Sequence, residues 1–447
     1  MSSRIFVISL GCSKNHCDLE NMLGIMTDNG YIISLDEYNA DIALINTCGF
    51  IEDAKKEAIE NILEMSSLKE QGILKGVIVT GCLAQRYKEE ILNNFPEVDA
   101  VVGVFDFDKI DKIIKDVENG TRKAYVNCDS LSNFNDMPRI QTTPFYTAYL
   151  KIAEGCNNRC SYCAIPSIRG NFRSRTMESL IEEATKLATS GVKELIVVAQ
   201  DTTRYGTDIY KKKSLARLLL ELSKIEGISW IRTHYMYPEM IDDELIETIK
   251  NNDKLLNYFD IPIQHINDRI LKRMNRHTNR EETEKVINKI RNKIPDATIR
   301  TTVMTGFPGE TGKEFKELYN YVKQTKFDRL GAFAFSKEEG TKAFDMSGQL
   351  PKFIKERRRN KILKLQQKIN EENNKKEIGK IYDVLVEGYH ENYGVYFGRT
   401  KKDSVDVDGT VMFESDVPVE FGEIKKVKIT GAMEYDLTGQ IIEDGRE

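Results

Sequence analysis

The chain has 447 residues, too many for one hydrophobic core, so two to four domains are expected. Hydrophobic residues make up 40% and charged residues 30%, and no stretch approaches the roughly 20 apolar residues that a membrane helix needs. The net charge of −5 argues against a protein that binds nucleic acid over its whole surface.

The first third of the chain alternates apolar runs with amphipathic stretches. Three near-continuous apolar runs predict parallel strands covered on both faces: RIFVISLGC, ADIALINTC and KGVIVTGC. Helical patterns lie between them, at roughly 18–29 and 52–65, so we predict a parallel α/β domain over residues 1–127. The opening segment has only a short apolar run, which indicates a strand and not a signal peptide.

Each predicted strand leads into a cysteine, and these are Cys12, Cys48 and Cys82. The carboxyl ends of parallel strands line one crevice, so the repeated pattern predicts a metal site with three ligands and one open position. Taken singly, each would be an inert buried thiol. We interpret Cys17 and Cys128 as non-ligands and His16 as an exposed loop residue. Eight cysteines without a secretory signal indicate reduced thiols and a cytoplasmic protein.

Residues 128–143 lack periodicity and are rich in Ser, Asn and Asp, which is typical of a linker. From residue 144 the alternation returns with six strand-like runs separated by helical patterns: AYLKIA, ELIVVAQ, WIRTHYM, YFDIPI, TIRTTVM and DRLGAFAF. Six βα units predict a partial barrel and not a complete eight-stranded one. We place this domain, with the helical connector that follows, at residues 144–375.

The loop after the first of these strands, EGCNNRCSYCAIPSIRGNFRS, carries Cys156, Cys160 and Cys163. Thiolates suit iron–sulfur clusters and zinc, but a closed structural site needs four ligands, and no histidine lies nearby. We therefore predict a cluster with an open iron at the carboxyl face of the barrel, where barrel enzymes build their sites. The alternative is three buried or reactive thiols.

Polar residues follow the later strands on the same predicted face, where they are candidates to contact a cofactor or a substrate. They are Gln200, Asp201, His234, Gln264, His265, Gly306 and Glu310. The alternative for each is a helix cap or a turn, and the sequence TGFPGE is a turn by composition alone. Arg169, Arg173 and Arg175 follow the cysteine loop and are expected to pair with a carboxylate or substrate, or to form a solvated face.

The last hundred residues change character twice. Residues 352–380 hold eleven Lys and Arg against four Glu, which predicts a basic helical connector. Short alternating strands with intervening glycines then predict a small all-β barrel over residues 376–447: YDVLVEGY, GVYFGRT, SVDVDGTVMF, KKVKITGA and GQIIE. Residues 381–447 hold seven Lys and Arg against fifteen Asp and Glu. An RNA-binding barrel is expected to be basic, so this composition disfavours RNA.

The spacing Cys156-x3-Cys160-x2-Cys163 matches the signature of the radical S-adenosylmethionine superfamily. The order of the three domains resembles the methylthiotransferases, whose last barrel is of the TRAM type. Four segments resemble the branch that modifies a protein of the small ribosomal subunit, the twelfth by the usual naming: SLGCSKN, INTCGFIEDAKKEAIENILE, AYLKIAEGCNNRCSYCAIPSIRGNFRSR and ELIVVAQDTTRYGTDIY. The tRNA-modifying branch usually shows GCQMN-like and NTCSVRE segments, and this chain has neither.

This resemblance implies a transferase with two 4Fe-4S clusters. Cys156, Cys160 and Cys163 would hold the cluster whose open iron chelates S-adenosylmethionine, and the three strand-end cysteines would hold an auxiliary cluster that carries sulfide or methylthiolate. A 5′-deoxyadenosyl radical would abstract a hydrogen from the β-carbon of an aspartate, where the methylthio group is installed. The implied partners are the ribosomal protein and an electron donor similar to flavodoxin or ferredoxin.

Two alternatives remain at this point. One is methylthiolation of a modified adenosine in tRNA, and the other is a non-catalytic RNA-binding or assembly factor whose clusters serve structure. In either case we expect a monomer that contacts no membrane.

Overall fold

The computed structural model describes residues 3–127 and 135–442. No helix within those two ranges is long and apolar enough to cross a membrane.

The first domain is built on a six-stranded parallel sheet in the order β2-β1-β3-β4-β5-β6. Its strands are β1 (Arg4–Ser9), β2 (Ile32–Ser34), β3 (Ile42–Thr47), β4 (Gly76–Gly81), β5 (Ala100–Val102) and β6 (Lys123–Tyr125). Its helices are α1 (Ser13–Asp28), α2 (Glu52–Glu70), α3 (Cys82–Tyr87), α4 (Glu89–Asn94) and α5 (Ile110–Glu118). Helices α1 and α5 pack on one face of the sheet, and α2 and α3 pack on the other. The predicted parallel α/β architecture is confirmed.

The second domain carries a six-stranded parallel sheet in the order β14-β13-β12-β11-β10-β7, which is the predicted partial barrel. Its strands are β7 (Thr147–Lys151), β10 (Glu194–Val198), β11 (Trp230–Thr233), β12 (Leu255–Asp260), β13 (Thr298–Thr305) and β14 (Arg329–Ala334). Two short strands, β8 (Ala153–Glu154) and β9 (Arg173–Ser174), pair with each other on either side of the cysteine loop.

Helices follow the strands of this domain. They are α6 (Ile165–Arg169), α7 (Met177–Thr189), α8 (Leu215–Ser223), α9 (Asp243–Lys250), α10 (Asp268–Arg273), α11 (Arg280–Lys293) and α12 (Gly312–Thr325). Helix α6 packs against α3 of the first domain, and helices such as α7, α8, α9 and α11 pack on the barrel core. The basic connector is helix α13 (Lys352–Asn374). Its buried residues Ile362, Leu365 and Ile369 belong to the core of the second domain, so the connector is packed against the barrel.

The chain ends in a closed five-stranded barrel in the order β15-β16-β17-β19-β18, as predicted. Its strands are β15 (Ile381–His390), β16 (Val395–Thr400), β17 (Val411–Glu414), β18 (Ile424–Ala432) and β19 (Leu437–Ile441). The run SVDVDGTVMF was expected to form one strand, but only its last residues do. Ser404 and Asp408 lie in a loop because their side chains bond to the second domain.

Candidate functional site

Three loops of the first domain meet where β1, β3 and β4 end. A Cβ atom placed on Gly11 would lie 3.1 Å from the Cβ of Cys48, and one placed on Gly49 would lie 3.0 Å from the backbone carbonyl carbon of Cys82. Gly11 also has φ +106°, a conformation that favours glycine. The loops that hold Cys12, Cys48 and Cys82 are therefore in direct contact, and we call these three cysteines the first triad.

The thiols of the first triad differ in their surroundings. Burial raises the pKa of Cys82 to about 12, against the opposing charge of Arg169. Desolvation also raises the pKa of Cys12, but the positive charges of Lys14 and Arg169 outweigh it and lower the pKa below the ordinary thiol value. Two buried cations therefore favour the thiolate form of Cys12, whereas burial favours the neutral thiol at Cys82 and also raises the pKa of Cys48.

The second triad, Cys156, Cys160 and Cys163, lies in the loop after β8. The backbone N–H of Cys163 donates to the carbonyl of Cys160 at 3.0 Å, and the N–H of Cys156 donates to the carbonyl of Gly170 at 3.1 Å. Gly155 has φ +77°, and a Cβ there would lie 2.2 Å from the carbonyl oxygen of Asn171, so the loop requires glycine at this position. Burial raises the pKa of Cys156 to about 11.

Arg276 approaches the second triad from the other side. Its Nη1 lies 3.9 Å from the Sγ of Cys160, and its guanidinium carbon lies 4.3 Å from the centre of the Tyr237 ring. The Oη of Tyr237 lies 4.0 Å from the same sulfur. The second triad thus also has a buried cation beside a thiol.

The donor chemistry of both triads fits an iron–sulfur cluster bound by three thiolates. All seven cysteines in the described parts of the chain are free. Within residues 3–127 and 135–442, no three His, Cys, Asp or Glu side chains are arranged to hold a single metal ion. A four-iron cluster binds each thiolate through a different iron, so its ligands need not converge on one point.

A buried charge cluster joins the two triads. The Nη1 of Arg169 donates to the carboxylates of Asp18 and Glu154, both at 2.8 Å, while its Nε and Nη2 lie 3.4 and 3.3 Å from the Sγ of Cys82. Lys151 donates to Glu154 at 2.8 Å and also bonds Asp18. We call Asp18, Lys151, Glu154 and Arg169 the bridging cluster. It connects the first triad to the strand that leads into the second.

Two of the predicted site residues lie against the loop of the second triad. The Nε2 of Gln200 donates to Glu154 at 2.7 Å. Asp201 accepts a 2.8 Å hydrogen bond from the Nδ2 of Asn158, which lies within the cysteine loop, and burial raises the pKa of this carboxyl group. Both side chains thus hold the loop that carries the cysteines.

Four further predicted residues lie together at the ends of β12 and β13. The Nε2 of His265 lies 3.6 Å from an oxygen of Glu310, which also accepts a 2.9 Å bond from the N–H of Gly306 and pairs with Arg358 of α13. Gln264 has φ +66°, and its N–H donates to a carbonyl of β13. Glu310 attaches α13 to the barrel, whereas the buried Nε2 of His265 has no hydrogen-bond partner among the described residues. The contact of this group with a cofactor or substrate stays a prediction.

His234 lies between the second domain and the small barrel. Its Nε2 is 2.8 Å from the Oγ of Ser404, and its ring stacks on Tyr258 with 5.8 Å between centres. Burial lowers the pKa of His234 to about 4, so the ring is neutral near pH 7. These contacts explain its burial without a ligand, and its assignment to the cofactor or substrate face also stays a prediction.

Cys17, Cys128 and His16 are interpreted as non-ligands, and that interpretation stays a prediction. His16 was expected in an exposed loop, but it lies in helix α1 and is only partly exposed. Cys17 is buried, with its Sγ 3.7 Å from the carbonyl oxygen of Tyr149, and His16 hydrogen-bonds Thr142 at 2.9 Å. Cys128 lies outside the described residues.

Sequence reasoning missed Asp18, Lys151, Glu154, Tyr237 and Arg276. Each lies in or beside a strand, helix or loop in which the sequence gives no sign of a functional role. Its contacts become visible only when the elements are packed together. For Arg169 the sequence left pairing with a carboxylate open beside a solvated face, and the structure supports the pairing.

Three family profiles match the chain. The radical SAM superfamily matches residues 150–322, the uncharacterized protein family UPF0004 matches residues 4–103, and the TRAM domain matches residues 378–442.

Curated relatives match over nearly the whole chain. "Ribosomal protein uS12 methylthiotransferase RimO" of Thermoanaerobacter sp. (strain X514) is 50% identical over 97% of this chain and 99% of its own length. The protein of the same name from Clostridioides difficile (strain 630) is also 50% identical, over 98% of this chain and 99% of its own.

Solved structures resemble the fold at low identity. The radical S-adenosylmethionine methyltransferase TsrM from Kitasatospora setae, with cobalamin and a [4Fe-4S] cluster bound, is 13% identical with a TM-score of 0.57, covering 77% of each chain. Its complex with tryptophan and a SAM analog gives a TM-score of 0.56 at 13% identity, covering 74% of this chain and 73% of that one. At this identity the likeness concerns the fold alone.

Proposed function

The chain belongs to the RimO family of radical S-adenosylmethionine methylthiotransferases, and on that premise we propose that it methylthiolates the β-carbon of an aspartate in ribosomal protein uS12. The observation that carries the proposal is that the bridging cluster contacts Cys82 of the first triad and Glu154, two residues before Cys156 of the second triad. A transferase that couples sulfur delivery to radical chemistry needs both centres at one place. The 50% identity to relatives named for uS12 favours this substrate over tRNA.

Each triad has a separate role in this proposal. Cys156, Cys160 and Cys163 would hold the 4Fe-4S cluster that binds S-adenosylmethionine, and Cys12, Cys48 and Cys82 would hold the auxiliary 4Fe-4S cluster. When bound, these groups supply an electron for cleavage of S-adenosylmethionine, which yields the radical that abstracts hydrogen, and a site for the transferred sulfur.

The chain's own residues orient and enclose this chemistry. Gln200 hydrogen-bonds Glu154, and Asp201 hydrogen-bonds Asn158. These two bonds would fix the position of the second triad's loop relative to the barrel strands. The loop of the small barrel at residues 401–410 contacts strands β11 and β12 and helps exclude water from the barrel.

The proposal also includes the partners of the enzyme and the bounds of its domains. The acidic small barrel suits a basic ribosomal protein, since complementary charge speeds association. A flavodoxin- or ferredoxin-like protein would supply electrons, and the enzyme would act as a cytoplasmic monomer. The domains would span residues 1–127, 144–375 and 376–447, with a linker at 128–143.

A mass measurement tests the proposal. The anaerobically reconstituted enzyme is incubated with S-adenosylmethionine, a reductant and either uS12 or tRNA, and both substrates are weighed. We expect a methylthio mass gain on uS12, its loss in Cys48→Ala, and its retention in Cys17→Ala, a matched cysteine outside both triads. A gain on tRNA alone would reverse the substrate assignment. Tight RNA binding without any 5′-deoxyadenosine would support an assembly factor instead.

A further inference from the structure

Lys14 is a nearly buried cation at the edge of the first triad. It lies in the first turn of α1, two residues after Cys12, and only 8% of its surface is exposed. Among the described residues, no carboxylate forms an ion pair with it. Its Nζ instead lies 3.5 Å from the centre of the Tyr235 ring, which belongs to the second domain. An ammonium group is rarely buried without an anionic partner, because desolvation of the charge is costly.

Tyr235 is held rigidly in place for this contact. It follows β11 at the carboxyl end of the barrel and has φ +58°, an unusual conformation for an aromatic residue. Its N–H donates to the carboxylate of Asp260 at 3.0 Å, and its carbonyl accepts from the N–H of Thr202 at 3.2 Å. Strained backbone of this kind concentrates at functional sites. The ring therefore forms a fixed platform that faces the first domain.

The geometry leaves donors of Lys14 available to a ligand. An ammonium group has three N–H donors, and the face of one ring attracts the cation from one side only. The position lies between Cys12 of the first triad and the mouth of the barrel. Within the described parts of the chain, Lys14 faces the thiol of Cys12 and the ring of Tyr235 but no carboxylate, so an anionic group that enters this space would give it a carboxylate partner.

We propose that Lys14 binds the carboxylate of the substrate, the side chain of the aspartate that is modified, and so determines specificity for an acidic residue. This inference rests on the proposed function, which assigns an aspartate of uS12 as the target. The carboxylate of S-adenosylmethionine has the same chemistry and is the other source that the test must separate. Lys14 would then be a substrate-positioning residue supplied by the first domain.

The test combines an enzyme variant with a substrate variant. Lys14→Met and Lys14→Arg are compared with Lys56→Met, a matched change at a lysine that is 59% exposed on α2 of the same domain. Each reconstituted enzyme is titrated with uS12 and with uS12 whose target aspartate is replaced by asparagine. A charge-assisted pair is worth about 10- to 100-fold in affinity. We expect Lys14→Met to bind uS12 weaker by about that factor, and to lose the wild-type preference for aspartate over asparagine. Lys14→Arg should keep most of the preference, and Lys56→Met should match the wild type.

Three further readouts separate the explanations. They are the iron content, the binding of S-adenosylmethionine and the rate of 5′-deoxyadenosine formation without uS12, each measured for Lys14→Met and for Lys14→Arg, which keeps the positive charge beside Cys12. Loss of iron would assign Lys14 to the auxiliary cluster, and weaker binding of S-adenosylmethionine would assign it to the cosubstrate; either overturns the inference. An unchanged preference for aspartate in Lys14→Met overturns it as well. If the wild-type enzyme modifies neither form of uS12, the proposed function itself has failed.

Discussion

The replacement Arg169→Met tests how the bridging cluster holds the first two domains together. Arg169 and Lys151 balance the carboxylates of Asp18 and Glu154, and all four side chains are at most 5% exposed. Removal of the guanidinium leaves two buried carboxylates with one cation. Breaking a buried pair in this way costs about 3–5 kcal/mol. We expect the free energy of unfolding of the metal-free protein, measured by urea titration, to fall by about that amount.

A second substitution distinguishes two causes of the lost stability, the unbalanced charge and the lost packing of the Arg169 side chain. Asp18→Asn in the Arg169→Met background removes the one carboxylate charge that Lys151 leaves unbalanced, so the double variant should recover a large part of the lost stability. Arg159→Met is the control, because Arg159 lies exposed in the same cysteine loop and its loss should cost less than about 0.5 kcal/mol. If Arg169→Met costs no more than the control, the bridging cluster does not stabilise the domain contact and the reasoning is wrong.

Three further results are expected. Cys160→Ala should abolish 5′-deoxyadenosine formation while Cys48→Ala retains part of it, as measured by chromatography; equal losses would contradict separate roles. Burial lowers the pKa of His234 to about 4, below its unfolded value near 6.5, so the unfolded state binds the extra proton and stability falls as pH drops between these values. The loss should reach about 3 kcal/mol, and urea titrations of His234→Gln should show a flatter pH dependence. Although Glu194 is buried, Arg399 and Arg232 lower its pKa to about 2. Its ion pair with Arg399 stabilises the docking of the small barrel on the second domain. This docking should persist at pH 5 and weaken as the pH falls from about 4.3 towards 2. The single tryptophan, Trp230, packs with Leu385 of the small barrel and reports this by fluorescence.

The longer strands could be predicted because a strand that is buried on both faces has a continuous apolar sequence. Strands β3 and β4 are buried at every position, and both were predicted with β1. Strands β2, β5 and β6 have three residues each, too few to produce a pattern, and they were missed. Helix α1 begins at Ser13, earlier than predicted, because the chain turns into it directly after Cys12.

In the candidate site, residues that are close in sequence could also be predicted, whereas contacts between distant segments could not. The second triad could be predicted because its three cysteines lie within one loop, and spacing along the chain fixes their proximity. The bridging cluster could not, because Asp18 and Arg169 are 151 residues apart and meet only when the domains dock. His234 shows the converse: its position at a strand end suggested a ligand contact, yet a hydroxyl group from the small barrel occupies its Nε2.

The negative charge of the small barrel is not all available to a partner. Asp403 pairs with Arg329, and Asp408 lies 3.6 Å from the Nε of Arg300, so two carboxylates neutralise arginines of the second domain. Other acidic side chains point into solvent, and these are Glu391, Glu414, Asp416, Glu420 and Glu434. Electrostatic attraction of a basic protein depends on this exposed group, because paired and buried charges contribute little to the field outside the molecule. The acidic composition therefore supports a basic protein partner through these five residues, whereas Asp403 and Asp408 attach the barrel to the enzyme.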